Sequence, residues 1–342
     1  MYGKICLTTP MILYRLYLPF YIFELNSPLR YFCACNYLFF IIRDITWLFL
    51  IEAKKQTKLK QLSFIKFANE YNTVRLDWKH DTIHAPFYQS SYFRFITLVF
   101  KIILLEYYVL PQLHWYDHNE ISSYYTLICY SYTLPLFVYL FFDVCAEILG
   151  LVYTLITGDT VRPVFPYFLS PLFATSLHQF WGYNWHLLIQ QTLKEFSYDP
   201  IRQLTNNRAL ALLSVFIVSG LIHEFAFCST TLTVDITQTL FFVLHGFIVL
   251  AELYFEKYYS SVVRQIPWIL KLFYFHTIVL LTSPVLMQPF TRLHWTSNFF
   301  YTLKPGDPRF LNEAEQVAVI ITAIASLRLK NKLVLWSSSS YV

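Results

Sequence analysis

Two histidines in otherwise apolar stretches are the residues of this sequence best suited to chemistry. His186 lies in SLHQFWGYNWHLLIQQTLKEFSYDPI (176–201), and His223 lies in VSGLIHEF (218–225). An ionisable side chain in apolar surroundings costs free energy unless it is paired, so each histidine requires a partner or a function. An imidazole in such a place can accept a proton, donate one or bind a metal ion. The sequence therefore predicts a functional site formed from these two stretches.

Small and polar residues accompany His223 at helical spacing. Ser219 and Gly220 precede it by four and three positions, so both share its face of a helix. A glycine leaves room for a neighbouring backbone or a ligand, and the Ser219 hydroxyl can hydrogen-bond a ring nitrogen or a substrate oxygen. At about 1.5 Å per residue, His223 lies roughly 21 Å along a helix that begins at Ala209, which places it inside a membrane.

The stretch around His186 combines aromatic and amide side chains. Trp181 and Trp185 are four positions apart and share one helical face, and Asn184 supplies an amide group beside them. The stretch is too polar for a helix that faces lipid and too aromatic for a solvated loop. It is typical of a partly buried or re-entrant helix that lines a cavity.

Composition places both stretches in a membrane protein. Hydrophobic residues make up 56% of the 342 residues and charged residues 14%, whereas a soluble domain carries about 25% charged residues. The chain therefore has too little polar surface for a soluble fold, and we expect one all-α, polytopic membrane domain over residues 1–342. The net charge of +5 is modest for this length, so nucleic acid is not an expected partner.

Apolar segments and basic residues predict the topology. The run 121–158 is too long for one span and short for two, so it predicts two abutting short helices or one long tilted helix. Asp143 and Glu147 lie four apart within it, and we expect the face that they share to point inward. The basic loop 52–92 is expected to be cytosolic. A spanning helix needs about 20 residues, and the apolar segments that predict about eight membrane helices are 11–23, 31–51, 93–113, 121–158, 209–228, 236–255, 268–290 and 314–327.

Other classes of membrane protein fit the sequence less well. Membrane di-iron enzymes bind iron through HxxxH and HxxHH boxes, and HxxxH spacing occurs at 80–84 and 114–118, but HxxHH does not occur. The six cysteines show no metal-binding or redox spacing, so no metal is predicted. A transporter or other non-catalytic membrane protein predicts charged residues along a pore through several spans, and it gives the two histidines no special role.

A resemblance to a known family adds to this interpretation. FWGYNWH, the proline-rich approach to it and SGLIHEF resemble the wax-synthase branch of the membrane-bound O-acyltransferase family. Within that branch they are most similar to fungal members that acylate secondary metabolites such as terpenoids. IIRDITW (41–47) and FFVLHGFIVLAEL (241–253) add weaker similarity, and the core signature covers 160–260. The resemblance implies about eight transmembrane helices around an acyl-transfer tunnel.

The resemblance also implies roles for individual residues. His223 corresponds to the membrane histidine of the family and is expected to act as the general base that takes the proton of a hydroxyl group. His186 occupies the second signature position and is expected to orient substrate or polarise the thioester carbonyl, with Asn184 as a helper. No serine or cysteine stands in a nucleophile elbow, so we expect direct transfer. The other residues expected to contact substrate are Trp181, Trp185, Ser219, Gly220 and His245.

The implied reaction is acyl-CoA-dependent esterification of a lipophilic alcohol. The resemblance favours acetyl-CoA and a terpenoid-like secondary metabolite, and it leaves open a wax-ester or sterol-ester synthase that uses long-chain acyl-CoA. Lys194, Arg202 and Arg208 are expected to meet the phosphates of the coenzyme from the cytosol. Acyl-CoA is then a cosubstrate, no cofactor is bound, and membrane lipid surrounds the protein. The implied location is the endoplasmic reticulum membrane.

Overall fold

The chain is described by a computed structural model, which covers residues 10, 12–21, 25, 28–46, 91–118, 124–157 and 169–292. Within these ranges every regular element is helical. The predicted spans at 11–23 and 31–51 are described only in part, and the span at 314–327 lies outside the described residues, as does most of the basic loop. The predicted total of about eight spans therefore stays a prediction.

The described part of the chain is built from long helices joined by short segments. A short helical turn at Leu177–Gln179 and three wide turns of π-helical geometry connect or interrupt the longer elements. The helices are α1 (Pro28–Ile45), α2 (Ser91–Leu104), α3 (Leu110–His118), α4 (Tyr124–Thr157), α5 (Leu187–Leu193), α6 (Asp199–Thr205), α7 (Arg208–Thr231), α8 (Thr237–Tyr258), α9 (Ser260–Gln265) and α10 (Trp268–Arg292).

Four of the described helices are long and apolar enough to cross a membrane. The three clear candidates of the sequence, at 209–228, 236–255 and 268–290, are confirmed as α7, α8 and α10. Within the run 121–158, residues Tyr124–Thr157 form one helix, α4, of 34 residues. At 1.5 Å per residue α4 is about 51 Å long, which exceeds the thickness of about 30 Å of a hydrocarbon core. Its apolar part, Tyr125–Ile148, is the fourth candidate span.

Close packing of α7 between α8 and α1 builds the region that holds His223. A Cβ atom added to Gly220 on α7 would lie 2.8 Å from the Cα atom of Thr239 on α8. A Cβ atom added to Gly246 on α8 would lie 3.1 Å from the side chain of Phe216 on α7. Both contacts are shorter than the usual separation of about 3.5–4.0 Å between carbon atoms. The two helices therefore approach each other at positions that only glycine can occupy without a shift.

Two buried ion pairs join α2 to α4. Arg94 Nε lies 2.8 Å from Glu147 Oε2, and Lys101 Nζ lies 2.8 Å from Asp143 Oδ2. All four side chains are buried. Asp143 also accepts a hydrogen bond of 3.1 Å from the Tyr139 hydroxyl. The prediction that the two acidic residues of α4 face inward is thus confirmed, and their partners are basic residues of α2.

Candidate active site

His223 lies on α7 and is held from two sides. Its Nδ1 is 2.7 Å from the Tyr31 hydroxyl on α1, across 192 positions of sequence. Its ring stacks on Phe242 of α8, with centroids 4.6 Å apart and planes 21° apart. The hydrogen bond fixes one edge of the imidazole and the stack fixes one face. Three helices therefore determine where His223 points.

The second ring nitrogen of His223 remains available for chemistry. No hydrogen bond to Nε2 is recorded among the described residues, and the side chain is partly exposed. A neutral imidazole with Nδ1 engaged can present Nε2 as a proton acceptor or donor, according to its tautomer. One ring nitrogen is thus anchored by the protein, and the other has no hydrogen-bond partner among the described residues.

His186 lies at a break between two helical segments. Trp185 N donates to Phe180 O at 2.9 Å and closes the wide turn Phe180–Asn184, and α5 begins after His186. The His186 Nδ1 accepts a long hydrogen bond of 3.4 Å from Ile189 N. Burial lowers the pKa of His186 to about 4, because the charged imidazolium loses its hydration there. His186 is therefore neutral near pH 7.

One set of aromatic rings borders both histidines. The ring of Phe142 on α4 meets His186 edge-on at 6.1 Å and Phe32 on α1 at 5.1 Å. Phe32 follows Tyr31, which binds His223. Among the recorded contacts of described residues, none joins the two imidazoles directly. Their convergence on one tunnel, as expected from the sequence, stays a prediction.

His245 is buried and both of its ring nitrogens have protein partners. Trp181 Nε1 donates to His245 Nδ1 at 3.0 Å, and His245 Nε2 lies 2.8 Å from Thr282 Oγ1. An indole N–H can only donate, so Nδ1 is the acceptor and Nε2 carries the hydrogen that Thr282 accepts. The Thr282 hydroxyl in turn donates to Ile278 O at 2.8 Å. His245 is thus placed to orient Trp181, one of the residues expected to contact substrate.

Asn184 and Trp185 hold the His186 segment in place. The buried Asn184 amide donates to Ser170 O at 2.7 Å, and the Ser170 hydroxyl donates to Asn184 O at 2.8 Å. Trp185 stacks on Phe180 with ring centroids 5.3 Å apart, and it meets Trp181 edge-on at 6.2 Å. The two tryptophans are therefore neighbours, as their spacing predicts, although their rings are not parallel. These contacts order the segment immediately before His186.

Glu252 is a further determinant of this segment that the sequence analysis missed. Its two carboxylate oxygens accept hydrogen bonds from Leu177 N at 2.9 Å and His178 N at 2.7 Å. The Tyr274 hydroxyl of α10 donates to the same carboxylate at 3.1 Å. The carboxylate thus ties the start of the Leu177–Gln179 turn to α8 and α10. A glutamate inside an apolar segment was the available signal.

The space beside Gly220 has a different occupant from the ligand expected there. The backbone of Thr239 fills it, since an added Cβ would lie 2.8 Å from Thr239 Cα and 3.2 Å from Thr239 O. The sequence alone left both a backbone and a ligand possible, and in the direction of a Cβ atom the neighbour is the α8 backbone. Contact between Gly220 and substrate stays a prediction. Ser219, one position earlier, is partly exposed on α7.

The three basic residues expected to bind coenzyme lie near the start of α7. Lys194 binds Asp199 at 3.0 Å and is largely exposed. Arg202 donates to Asn206 Oδ1 at 2.5 Å, and Arg208 is the first residue of α7. The wide turn Lys194–Tyr198 and α6 both pack against α7. The segments that carry Lys194 and Arg202 therefore lie against the helix that Arg208 begins, and joint contact of the three side chains with coenzyme stays a prediction.

Comparison with known proteins is consistent with this geometry. Residues 164–244 match the membrane bound O-acyl transferase family. The matched segment contains both histidines together with the wide turn before His186 and the first part of α8. It ends one residue before His245.

Curated relatives agree with the family match. A 162-residue part of the chain is 30% identical to "Probable long-chain-alcohol O-fatty-acyltransferase 7" of Arabidopsis thaliana, and it covers 44% of this chain and 45% of the relative. A 109-residue part is 38% identical to the "Long-chain-alcohol O-fatty-acyltransferase" of Simmondsia chinensis, covering 30% and 31%. A second Arabidopsis thaliana protein, numbered 6 in the same series, is 29% identical over 190 residues, covering 54% and 51%. The chain spans about half the length of the first of these relatives.

Proposed function

We propose that this protein is a membrane O-acyltransferase that transfers a fatty acyl group from acyl-CoA to a long-chain alcohol, with His223 as the general base. The observation that carries the proposal is the environment of His223, which lies within the family match. Its Nδ1 is anchored by Tyr31, its ring is stacked on Phe242, and its Nε2 is left available. This is the arrangement that proton abstraction from a hydroxyl group requires.

The chemistry at His223 balances without a covalent enzyme intermediate. Nε2 accepts the proton of the alcohol as its oxygen attacks the thioester carbonyl carbon. The carbon–sulfur bond then breaks, and the departing thiolate of coenzyme A takes the proton back from Nε2. An ester and free coenzyme A leave, and His223 is neutral again. A neutral His186 can donate an N–H to the carbonyl oxygen while negative charge develops on it.

The position of the basic residues supports entry of the coenzyme at the start of α7. His223 is 15 residues beyond Arg208, which corresponds to about 22 Å along the helix. Lys194, Arg202 and Arg208 would then hold the phosphates at the membrane surface while the pantetheine arm carries the thioester inward. We place this end of α7 on the cytosolic side of the endoplasmic reticulum membrane, and the alcohol enters from lipid.

The choice of a fatty acyl donor rests on the names of the relatives, which specify long-chain alcohols and fatty acyl groups. The resemblance seen in the sequence favoured acetyl transfer to a fungal terpenoid instead. The two proposals differ in both substrates. Microsomes from a host that expresses the chain, supplied with acetyl-CoA or palmitoyl-CoA and with hexadecanol or a terpenoid alcohol, distinguish them by mass spectrometry of the ester. We expect hexadecyl palmitate as the main product.

Replacement of His223 tests the mechanism. We expect His223→Ala to lose at least about 100-fold in ester formation, since a positioned general base contributes about 10²–10⁴-fold. His178→Ala is the control, because it also removes an imidazole, and among the ring contacts of described residues the His178 ring meets Tyr183 and neither His186 nor His223. It should retain most of the activity. Wild-type turnover by His223→Ala, at equal protein level, would remove the assignment.

A further inference from the structure

Tyr31 is held rigidly at the start of α1. Its side chain is buried, with 7% of its surface exposed. The ring meets Phe290 of α10 edge-on at 5.3 Å and Phe32 edge-on at 6.0 Å. These contacts leave the hydroxyl group little freedom, and it lies 2.7 Å from His223 Nδ1. The distance is typical of a strong hydrogen bond.

The chemistry of a histidine base gives this contact a specific role. When Nε2 takes the proton of the alcohol, both ring nitrogens of His223 carry hydrogens, and Nδ1 can then only donate. The acceptor within reach is the Tyr31 oxygen. The hydroxyl hydrogen of Tyr31 must therefore point elsewhere. The thiol of Cys35, one helical turn further along α1, interacts with this hydroxyl and can accept the hydrogen.

We propose that Tyr31 is a positioning residue for the reaction: it accepts a hydrogen bond from Nδ1–H of His223, which keeps Nε2 free as the proton acceptor and stabilises the imidazolium that forms during transfer. Tyr31 touches neither substrate nor coenzyme in this role and keeps its own proton throughout. The inference rests on the proposed function of His223. It adds a residue from α1, which lies outside the segment matched by the family.

The variant Tyr31→Phe removes the hydroxyl group and keeps the ring that packs on Phe290. Hydrogen bonds to charged groups contribute more than neutral ones, and this bond is charged only while the imidazolium exists. We therefore expect kcat to fall by about ten-fold or more, with the KM values for palmitoyl-CoA and hexadecanol within about two-fold of wild type. A loss of packing alone would instead lower the amount of folded protein without changing kcat.

Tyr132→Phe is a matched control of the same chemistry. The Tyr132 hydroxyl on α4 lies 3.1 Å from Nδ1 of His276 on α10, so the chain contains a second tyrosine–histidine pair outside the proposed reaction. We expect its kcat to stay within about two-fold of wild type. A wild-type kcat for Tyr31→Phe, or an equal loss in both variants, would overturn the positioning role.

Two further sets of variants separate the possible failures. His223→Gln tests the proposed function. If it keeps the wild-type rate, both the base assignment and the role of Tyr31 are wrong. If His223→Gln loses activity and Tyr31→Phe keeps the wild-type kcat, only the role of Tyr31 is wrong.

If Tyr31→Phe does not fold, the kcat values of two Cys35 variants test the role of Tyr31. Cys35→Ser retains an acceptor and should keep kcat, while Cys35→Ala should lower kcat by about five-fold, the value of one ordinary hydrogen bond. Equal kcat values for the two Cys35 variants would overturn the inference.

Discussion

The contact between Gly220 and Thr239 leads to a quantitative prediction about the packing of α7 on α8. In Gly220→Ala the new Cβ would lie 2.8 Å from the Thr239 Cα atom, which is backbone and cannot rotate away. Carbon atoms normally stay about 3.5–4.0 Å apart, so the helices must separate by roughly 0.7 Å or more. Overpacking of this kind costs about 1–3 kcal/mol. Alanine recovers up to about 1 kcal/mol of helix propensity, which reduces the net loss.

Substitution of two other glycines, which have less crowded surroundings, provides a comparison for this prediction. An added Cβ at Gly246 would meet the Phe216 side chain at 3.1 Å, and one at Gly182 would meet only the His178 ring at 3.9 Å. We therefore expect Gly182→Ala to be the most thermally stable of the three variants, Gly246→Ala to be intermediate and Gly220→Ala to be the least stable. With about 2 °C lost for each kcal/mol in a protein of this size, Gly220→Ala should unfold a few degrees below wild type and Gly182→Ala at the wild-type temperature.

Fluorescence-detected size-exclusion chromatography after heating measures the thermal stability of the three variants in detergent. Ester formation in microsomes measures how each substitution affects the candidate active site. Because His223 is one helical turn from Gly220, a shift of α7 also moves the imidazole relative to Phe242. We expect Gly220→Ala to lose more activity than stability alone explains. Wild-type stability and rate for Gly220→Ala would refute the close approach of the two helices.

Three further predictions concern the groups that order the His186 segment. Glu252→Gln replaces one carboxylate oxygen by an amide NH2 group that cannot accept, so one of the two backbone hydrogen bonds at Leu177 and His178 is lost. The change should cost about 1–2 kcal/mol and lower turnover, as thermal unfolding and ester assays would show. His245→Leu leaves the Trp181 N–H without its buried acceptor, so the melting temperature should fall by an amount equivalent to about 1–3 kcal/mol. The pKa of His186 in the folded protein lies below its usual value of about 6.5. The contribution of His186 to the free energy of unfolding should therefore be constant above about pH 6.5 and should decline as the pH falls towards 4. Melting temperatures at pH 7.5 and pH 5 measure this decline, which should be smaller in His186→Gln than in wild type.

The sequence predicts the long helices well because hydropathy is a local property. The bounds of α7, α8 and α10 follow directly from their apolar runs. The 34 residues of α4 were ambiguous because their length fits neither one span nor two, and hydropathy does not report how far a helix continues past the lipid. The acidic pair of α4 was correctly assigned to an inward face, since helical spacing places both residues together.

The site is predicted less completely because its geometry depends on contacts between distant segments. Both histidines were identified, but Tyr31 was not, since nothing local links it to a residue 192 positions away. The wide turn Phe180–Asn184 was also missed, because one extra residue in a turn changes the hydrogen-bond register and leaves composition unchanged. For Gly220 the sequence indicates that space exists beside the helix, and only the fold shows that α8 fills it.

The paired charges of α2 and α4 have a consequence for biosynthesis. The sequence predicts α2 as part of a membrane span, yet Arg94 and Lys101 have their carboxylate partners on α4, 53 and 42 residues later in the chain. A lone cation in lipid costs about 2.5–3.5 kcal/mol. At roughly 5–20 residues per second, the ribosome needs about 2–11 s to deliver the acidic residues. If α2 spans the membrane as the sequence predicts, we expect the translocon or a chaperone to shelter it during that interval, and we expect α2 and α4 to enter the bilayer together as a neutral pair.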